Sequence, residues 1–394
     1  MIIDYKCTVT SPCSGISFCQ HEFLFQKKLS TRVLISENLL IFRFETCISN
    51  FTFYTNYSGG KQMTNLATNY MGIALKNPII AGASGMSADL EMLKKLEKAG
   101  AAAIVYKTLF EEQINLESAH FDDQLEAMGG LHAEMTSLYP KLQHAGPEAH
   151  LVSLRKAKES LSIPVIASLN CIYDSTWIEY ASLIEKTGVD GIELNFYFVP
   201  GDFDADGRLI EDVHLDLIKT IKSKISIPVS VKLSSFYSNP LNFISRLDKA
   251  GVDGVVIFNR MFEPEINVND IKHIAPYYLS HEGDYRLALR YAGLLYGNLK
   301  TQVCANTGIY QGNDVIKMLL AGADCVQVVS TLYKNKAEHI SAMLSEIEEW
   351  MESKKYSSLS DFKGKLSKKN LKDPFVYKRG QYIDLLLASD QLLK

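Results

Sequence analysis

The sequence has no Cys-x-x-Cys pair among its seven cysteines, so the usual spacings for zinc, iron–sulfur and dithiol redox sites are absent. It has no apolar run approaching the roughly 20 residues that cross a bilayer as a helix, and no membrane association is expected. Nor does it carry an excess of positive charge: 41 Lys and Arg against 45 Asp and Glu leave a net charge of -4. Nucleic-acid proteins concentrate basic charge on one face, so that class of partner is not expected either. Neither GxGxxG after a strand nor GxxxxGK[ST] occurs, which argues against Rossmann and P-loop sites. The odd cysteine count, with no secretory pattern in the opening MIIDYKC, fits a reducing compartment, and a cytoplasmic location is expected.

What is present is apolar material for a large core, 47% of 394 residues. That length suits two average domains or one β/α barrel, which uses roughly 250 residues or more. Residues 1–62 stand apart. Phe, Tyr, Ser, Thr and Asn dominate them and no period persists, although 34–44 (LISENLLIFRF) reads as one short strand or helix. At Met63 the character changes, and MTNLATNYMGIALKNPIIAGASG alternates before entering a clean strand. The expectation is that residues 1–62 are an upstream extension without a fixed fold, that Met63 is the native start, and that 63–394 form one barrel with a helical C-terminal tail.

A recurring phrase organises the chain from there: Ala99-Gly100-Ala101, Thr187-Gly188-Val189-Asp190, Ala250-Gly251-Val252-Asp253 and Ala321-Gly322-Ala323-Asp324. Each follows an amphipathic helical pattern and precedes an apolar run: AAIVYK, GIELNF, GVVIFN and CVQVVS. Gly suits the left-handed position that ends a helix, and short continuous apolar runs suit parallel strands buried on both faces. SIPVIASL and SIPVSVKL add two strands behind a tolerated first-residue Pro, and 77–81 and 302–305 complete a set of eight. Eight alternating strands and helices predict a closed parallel (β/α)8 TIM barrel.

In such barrels chemistry sits where strands run into the following loops. The strand ends here are Ala83-Ser84-Gly85, Lys107-Thr108, Asn170, Asn195, Lys232, Asn259, Asn306-Thr307-Gly308 and Ser330-Thr331. Asn, Ser and Thr are also ordinary caps and turn formers. Lys232 inside VSVKLSS is harder to dismiss, because a buried ammonium needs a negative or polar partner, either a structural acid or a ligand. The loops after strands seven and eight commonly bind phosphate through backbone N–H groups. Thr307, Gly308, Ser330 and Thr331 are therefore the candidate phosphate cradle.

The order of these motifs resembles the dihydroorotate dehydrogenase family, specifically its soluble class 1 members. The residues that carry the resemblance are NPIIAGASG (77–85), VYKT (105–108), MGG (128–130), GIELN (191–195), VSVKL (229–233), VIFN (256–259), NTGI (306–309), QVVSTLY (327–333) and DFKGKL (361–366). The resemblance covers nearly all of 63–394. It implies an FMN-dependent barrel that oxidises a CH–CH bond, dihydroorotate to orotate in pyrimidine biosynthesis, with a small-molecule substrate and a homodimeric assembly. Ala83, Ser84, Lys107 and Thr108 would line the flavin, with Asn195 near its ring. Lys232 would stabilise charge on the reduced flavin, and Thr307, Gly308, Ser330 and Thr331 would hold the phosphate. Asn195 and Asn259 would contact the substrate.

The substrate side departs from the family pattern. In Asn-x-x-Cys/Ser-Pro-Asn the fourth residue is the base, whereas here the loop reads Asn195-Phe196-Tyr197-Phe198-Val199-Pro200. Phe198 holds the place of the base and cannot accept a proton. Glu126 stands where the family has an Asn that grips the orotate ring, and Thr307 replaces the first Gly of a Gly-Gly pair. Tyr197, Cys171, Tyr173, Ser234 and Ser235 are the nearby groups able to substitute. The alternatives are therefore an FMN enzyme for a different unsaturated substrate, or a flavin-binding barrel without turnover.

Overall fold

The computed structural model describes residues 31–36, 39–44, 51–56, 64–115, 147–197, 203–260, 263–274 and 279–388. The chain divides into two units, Met1–Met63 and Thr64–Lys394. In the first, Thr31–Ser36 pairs antiparallel with Leu39–Phe44, which pairs antiparallel with Phe51–Asn56. Residues 34–44, read from sequence as a single short element, thus contribute to two paired strands. Their aliphatic and aromatic residues suit that pairing.

The second unit is a (β/α)8 TIM barrel. Its strands are β1 (Ile79–Ala81), β2 (Ala103–Val105), β3 (Val165–Asn170), β4 (Gly191–Phe196), β5 (Val229–Leu233), β6 (Gly254–Ile257), β7 (Gln302–Ala305) and β8 (Cys325–Val328). Each pairs in parallel with its sequence neighbours, and β8 pairs with β1 to close the sheet. All eight runs singled out in the sequence form these strands. The helices between them include α1 (Leu90–Lys98), α2 (Pro147–Ser160), α3 (Asp174–Glu185), α4 (Gly207–Lys224), α5 (Pro240–Lys249), α6 (Arg286–Leu295) and α7 (Gly312–Ala321). After β8 come the short α8 (Ser330–Asn335) and then α9 (His339–Lys354), which buries Ile340, Met343, Ile347 and Met351. No described helix is long and apolar enough to cross a membrane.

The recurring phrase has a geometric cause. Its glycines have φ of +107°, +85°, +89° and +127°, and its aspartates tie neighbouring strands together. Asp190 accepts from Val165 N at 2.7 Å, Asp253 from Val229 N at 2.8 Å and Asp324 from Val303 N at 2.7 Å. Each also takes a lysine, namely Lys158, Lys222 and Lys363. A second set of acids sits at helix C-termini. Glu97 receives Ser162 N, Glu185 receives Ser226 N and Asp248 receives Thr301 N, each just ahead of an odd-numbered strand. The start of every odd strand from β3 onward is thereby fixed by two carboxylates.

A hairpin of Thr68–Tyr70 and Ile73–Leu75 closes the N-terminal end of the barrel. Tyr70 and Met71 are buried there, and a Cβ on Gly254 would lie 2.8 Å from Met71 Cγ and from Tyr70 Cζ. That close approach requires glycine at the first residue of β6. Above the plug, Ile80, Val105, Ile166, Val256, Cys304 and Cys325 fill the lower interior of the sheet. Both cysteines are free and buried, acting as small apolar residues.

The carboxylate ties set a pH dependence. The backbone N–H of Ser226, followed by its hydroxyl, holds the Glu185 carboxyl below its ordinary value. A depressed carboxylate stabilises the fold above its unfolded pKa, and that contribution is lost as pH falls through the folded value. Glu185→Gln is expected to lower stability by up to about 1 kcal/mol at pH 7, the scale left to an exposed charged interaction after solvent screening. Urea melts at pH 7 and pH 4 should show the difference from the parent shrinking in acid. A difference that stays constant or grows would sink the assignment.

Candidate functional site

Three cavities open among the described residues at the C-terminal ends of the strands. The one of about 160 Å³ lies between the ends of β5 to β8 and the start of β1's loop, with Ala83, Lys232, Asn259, Asn306, Thr307, Gly308 and Ser330 on its wall. Gln327, Ser280 and Arg260 line it as well. Six residues singled out from the sequence as site residues therefore meet in one place: Ala83, Lys232, Asn259, Thr307, Gly308 and Ser330.

Thr307 and Gly308 shape its floor. Their φ angles are +75° and +72°, the first unusual for a β-branched residue. Thr307 is held there by a 2.9 Å hydrogen bond from its hydroxyl to Phe258 O. At Gly308 a Cβ would sit 2.6 Å from Tyr285 N and 2.7 Å from Asp284 Cβ, so the backbone approach is possible only with glycine. The Gly308 N–H donates to Ser280 Oγ at 3.2 Å, and Ser280 Oγ donates to Ser330 Oγ at 2.7 Å. An amide and two hydroxyls thus converge beside the N-terminus of α8. Arg260 Nη1 is buried on the cavity wall without a hydrogen-bond partner, a donor that an anion would satisfy.

Thr331 behaves differently from its sequence expectation. Fully buried, it donates its hydroxyl to Tyr310 O at 3.1 Å and receives Asn335 Nδ2 at 3.1 Å. Its side chain braces the helix behind the cradle, because a helical residue one step on from Ser330 faces the core. Ser84 and Thr108 also lie off this cavity's wall. Ser84 forms a turn in which its N–H donates to Ser87 Oγ, and the Thr108 hydroxyl shares a 2.9 Å hydrogen bond with Ser168 Oγ.

Lys232 is 6% exposed, and its ammonium has two interior partners. Nζ donates to Gln327 Oε1 at 3.3 Å and lies 3.8 Å from Glu193 Oε1. Gln327 Nε2 in turn donates to Glu193 Oε2 at 2.5 Å. Of the two possibilities the sequence left open for Lys232, the structural acid is present, and the ammonium also lines the cavity. Sequence reasoning passed over Glu193 and Gln327. Their signal was the same as that of Lys232: a polar residue inside an otherwise apolar strand. Ser280 and Arg260 had no such signal.

Asn195 and Asn259 form one unit. Asn259 Nδ2 donates to Asn195 Oδ1 at 2.8 Å, and Asn170 Nδ2 donates to the Asn195 carbonyl at 2.6 Å. Lys107 and Asn170 line a separate, larger cavity of about 900 Å³, whose walls are mainly apolar and include Trp177, Phe196, Leu209 and Val213. His214 also lines it, stacked on Phe196 with ring centroids 4.3 Å apart, and burial pushes its pKa down to about 4. His214 is therefore neutral near pH 7. Cys171 lies on the same wall, where burial and then the nearby Glu111 and Glu112 push its thiol well up, so it is a poor base. A third cavity, about 320 Å³, shares Asn259, Arg260, Asn306 and Thr307 with the first. Phe198, Glu126, Pro200 and the MGG of 128–130 lie outside the described residues.

The family profile described as dihydroorotate dehydrogenase matches residues 65–351. A dihydroorotate dehydrogenase B (NAD(+)) catalytic subunit from Methanocaldococcus jannaschii is 27% identical over 68% of this chain and 87% of its own length. One from Pyrococcus abyssi is 29% identical over 76% of this chain and 98% of its own. A dihydroorotate dehydrogenase A (fumarate) from Lactobacillus helveticus is 24% identical over 71% and 92%. With a closed barrel, a cavity at its C-terminal face and a family match across most of the second unit, this chain belongs to the dihydroorotate dehydrogenase family of oxidoreductases.

Proposed function

We propose that this chain is an FMN-dependent oxidoreductase acting on a CH–CH bond, with dihydroorotate and orotate as the reference substrate pair. The observation that carries the reading is the buried Lys232 ammonium on the wall of the cavity formed by Gly308, Ser280 and Ser330. The residues fit a phosphorylated flavin. Gly308 lets the backbone pass close against Tyr285 N, where a Cβ would not fit, and its N–H orients the Ser280 hydroxyl. The Ser330 hydroxyl is a donor for a phosphate, and Arg260 Nη1 is a buried donor lacking an acceptor.

FMN, when bound, supplies the hydride acceptor. The chain supplies the rest. Thr307, Gly308 and Ser330 would hold the phosphate end, with Thr331 stiffening the helix start behind them. Ala83 would border the flavin, with Ser84, Lys107 and Thr108 beyond this cavity's wall, and Lys232 would offer positive charge to the electron-rich reduced ring. The Asn195–Asn259 hydrogen bond leaves Asn195 Nδ2 and Asn259 Oδ1 as a donor and an acceptor for substrate. Phe198 holds the family's base position, and the second proton goes to another group or to solvent.

A second reading keeps FMN and changes the substrate. It is favoured by Phe198 together with the mainly apolar wall of the large cavity, where Trp177 and Phe196 would suit an unsaturated substrate less polar than dihydroorotate.

Purified protein loaded with FMN is expected to be yellow and to bind the cofactor stoichiometrically. Gly308→Ala should weaken FMN at least tenfold, about 1.4 kcal/mol, by filling the space against Tyr285 N and straining φ. Equal affinity by fluorescence titration would remove Gly308 from the cradle. Anaerobic mixing with dihydroorotate is expected to bleach the flavin slowly, and Phe198→Cys with Glu126→Asn should accelerate bleaching by roughly 10²-fold or more, the usual scale for a general base. No bleaching in either protein would favour the second reading.

A further inference from the structure

The barrel interior holds a buried polar triad. Glu193, Lys232 and Gln327 project inward from β4, β5 and β8 and are 0%, 6% and 1% exposed. Only one orientation of the Gln327 amide satisfies both neighbours, since an ammonium must donate and a carboxylate must accept. With Nε2 toward Glu193 and Oε1 toward Lys232, the amide joins the two charges through distances of 2.5 and 3.3 Å. The direct Lys232–Glu193 separation is longer, 3.8 Å, and Glu193 Oε1 has no hydrogen-bond partner. The ion pair is thus held open by an amide rather than closed into contact. An open pair leaves the ammonium directed along the cavity wall, while a closed pair would draw it toward β4 and cancel more of its charge.

We propose that Glu193 and Gln327 are positioning residues that set the reduction potential of the bound flavin through Lys232. Gln327 keeps the ammonium on the cavity wall, and Glu193 limits how much positive charge it presents there. This rests on FMN occupying the cavity. The two residues then have effects of opposite sign. Removing the Glu193 charge leaves the Lys232 ammonium held by Gln327 Oε1 and facing the cavity without a counter-charge, which favours the anionic reduced cofactor. Removing the Gln327 amide lets Lys232 close onto Glu193, which disfavours it. A group that merely fills the interior would not produce opposite shifts.

The test uses the full-length FMN-loaded protein, with sulfite as the probe because its adduct places negative charge on the flavin, and with midpoint potential as the second readout. Glu193→Gln is expected to tighten sulfite binding at least tenfold and raise the potential by about 30 mV, the two-electron equivalent of tenfold. Gln327→Met, close in volume, is expected to weaken sulfite binding by a similar factor and lower the potential. Either variant alone tests its own sign if the other does not fold. Shifts of less than twofold, or of the same sign in both, would overturn the proposal while leaving the FMN reading intact. Parent protein that takes up no FMN would overturn both.

Discussion

Burying a charged amine inside a closed sheet is the constraint around which the upper half of this barrel is arranged. An isolated ammonium in that environment would lose its proton or pull in water, so it must be met by an acceptor and by opposite charge. Glu193 and Gln327 do this from strands on either side of the barrel axis. An apolar interior of the same volume is often at least as stable, so stability alone does not account for the buried pair. The lower interior takes that apolar solution, with Tyr70 and Met71 plugging the bottom beneath Ile80, Val256, Cys304 and Cys325.

The wall that holds this interior is tied at the opposite end. Asp190, Asp253 and Asp324 each accept an N–H at the start of a preceding strand and pair with a lysine from a helix or the tail. Lys363 of the DFKGKL segment completes the last of these ties, which gives that tail motif a structural role. Rigid strand starts matter to the cavities because the residues that line them stand at the far ends of the same short strands. A shift in register would move every strand-end side chain together.

The two sides of the site are built on different supports. The proposed phosphate cradle rests on α8, the end of β7 and the Ser280 segment, with Thr307 held in a left-handed conformation by Phe258 O. The proposed substrate side rests on the Asn195–Asn259 pair at the ends of β4 and β6. Electrostatic support for a cofactor and the chemistry performed on a substrate can diverge independently, since they draw on different loops of one scaffold.

The barrel itself was legible in the sequence because its signals are local. Helix, glycine and buried strand recur with the same residues at Gly188, Gly251 and Gly322, and each strand end could be read by position. Lys232 was legible as a polar residue that burial would not tolerate alone. Tertiary structure alone decided which partner it meets, because Glu193 and Gln327 lie 39 and 95 residues away and are brought to it only by closing the sheet. It also decided that Thr331 faces the core while Ser330 faces the cavity, that Ser280 joins the cradle from a stretch with no sequence signal, and that the repeated aspartates tie strands together. Hydrophobic periodicity determines which elements form, whereas the meeting of side chains across a closed barrel depends on register, which no single segment encodes.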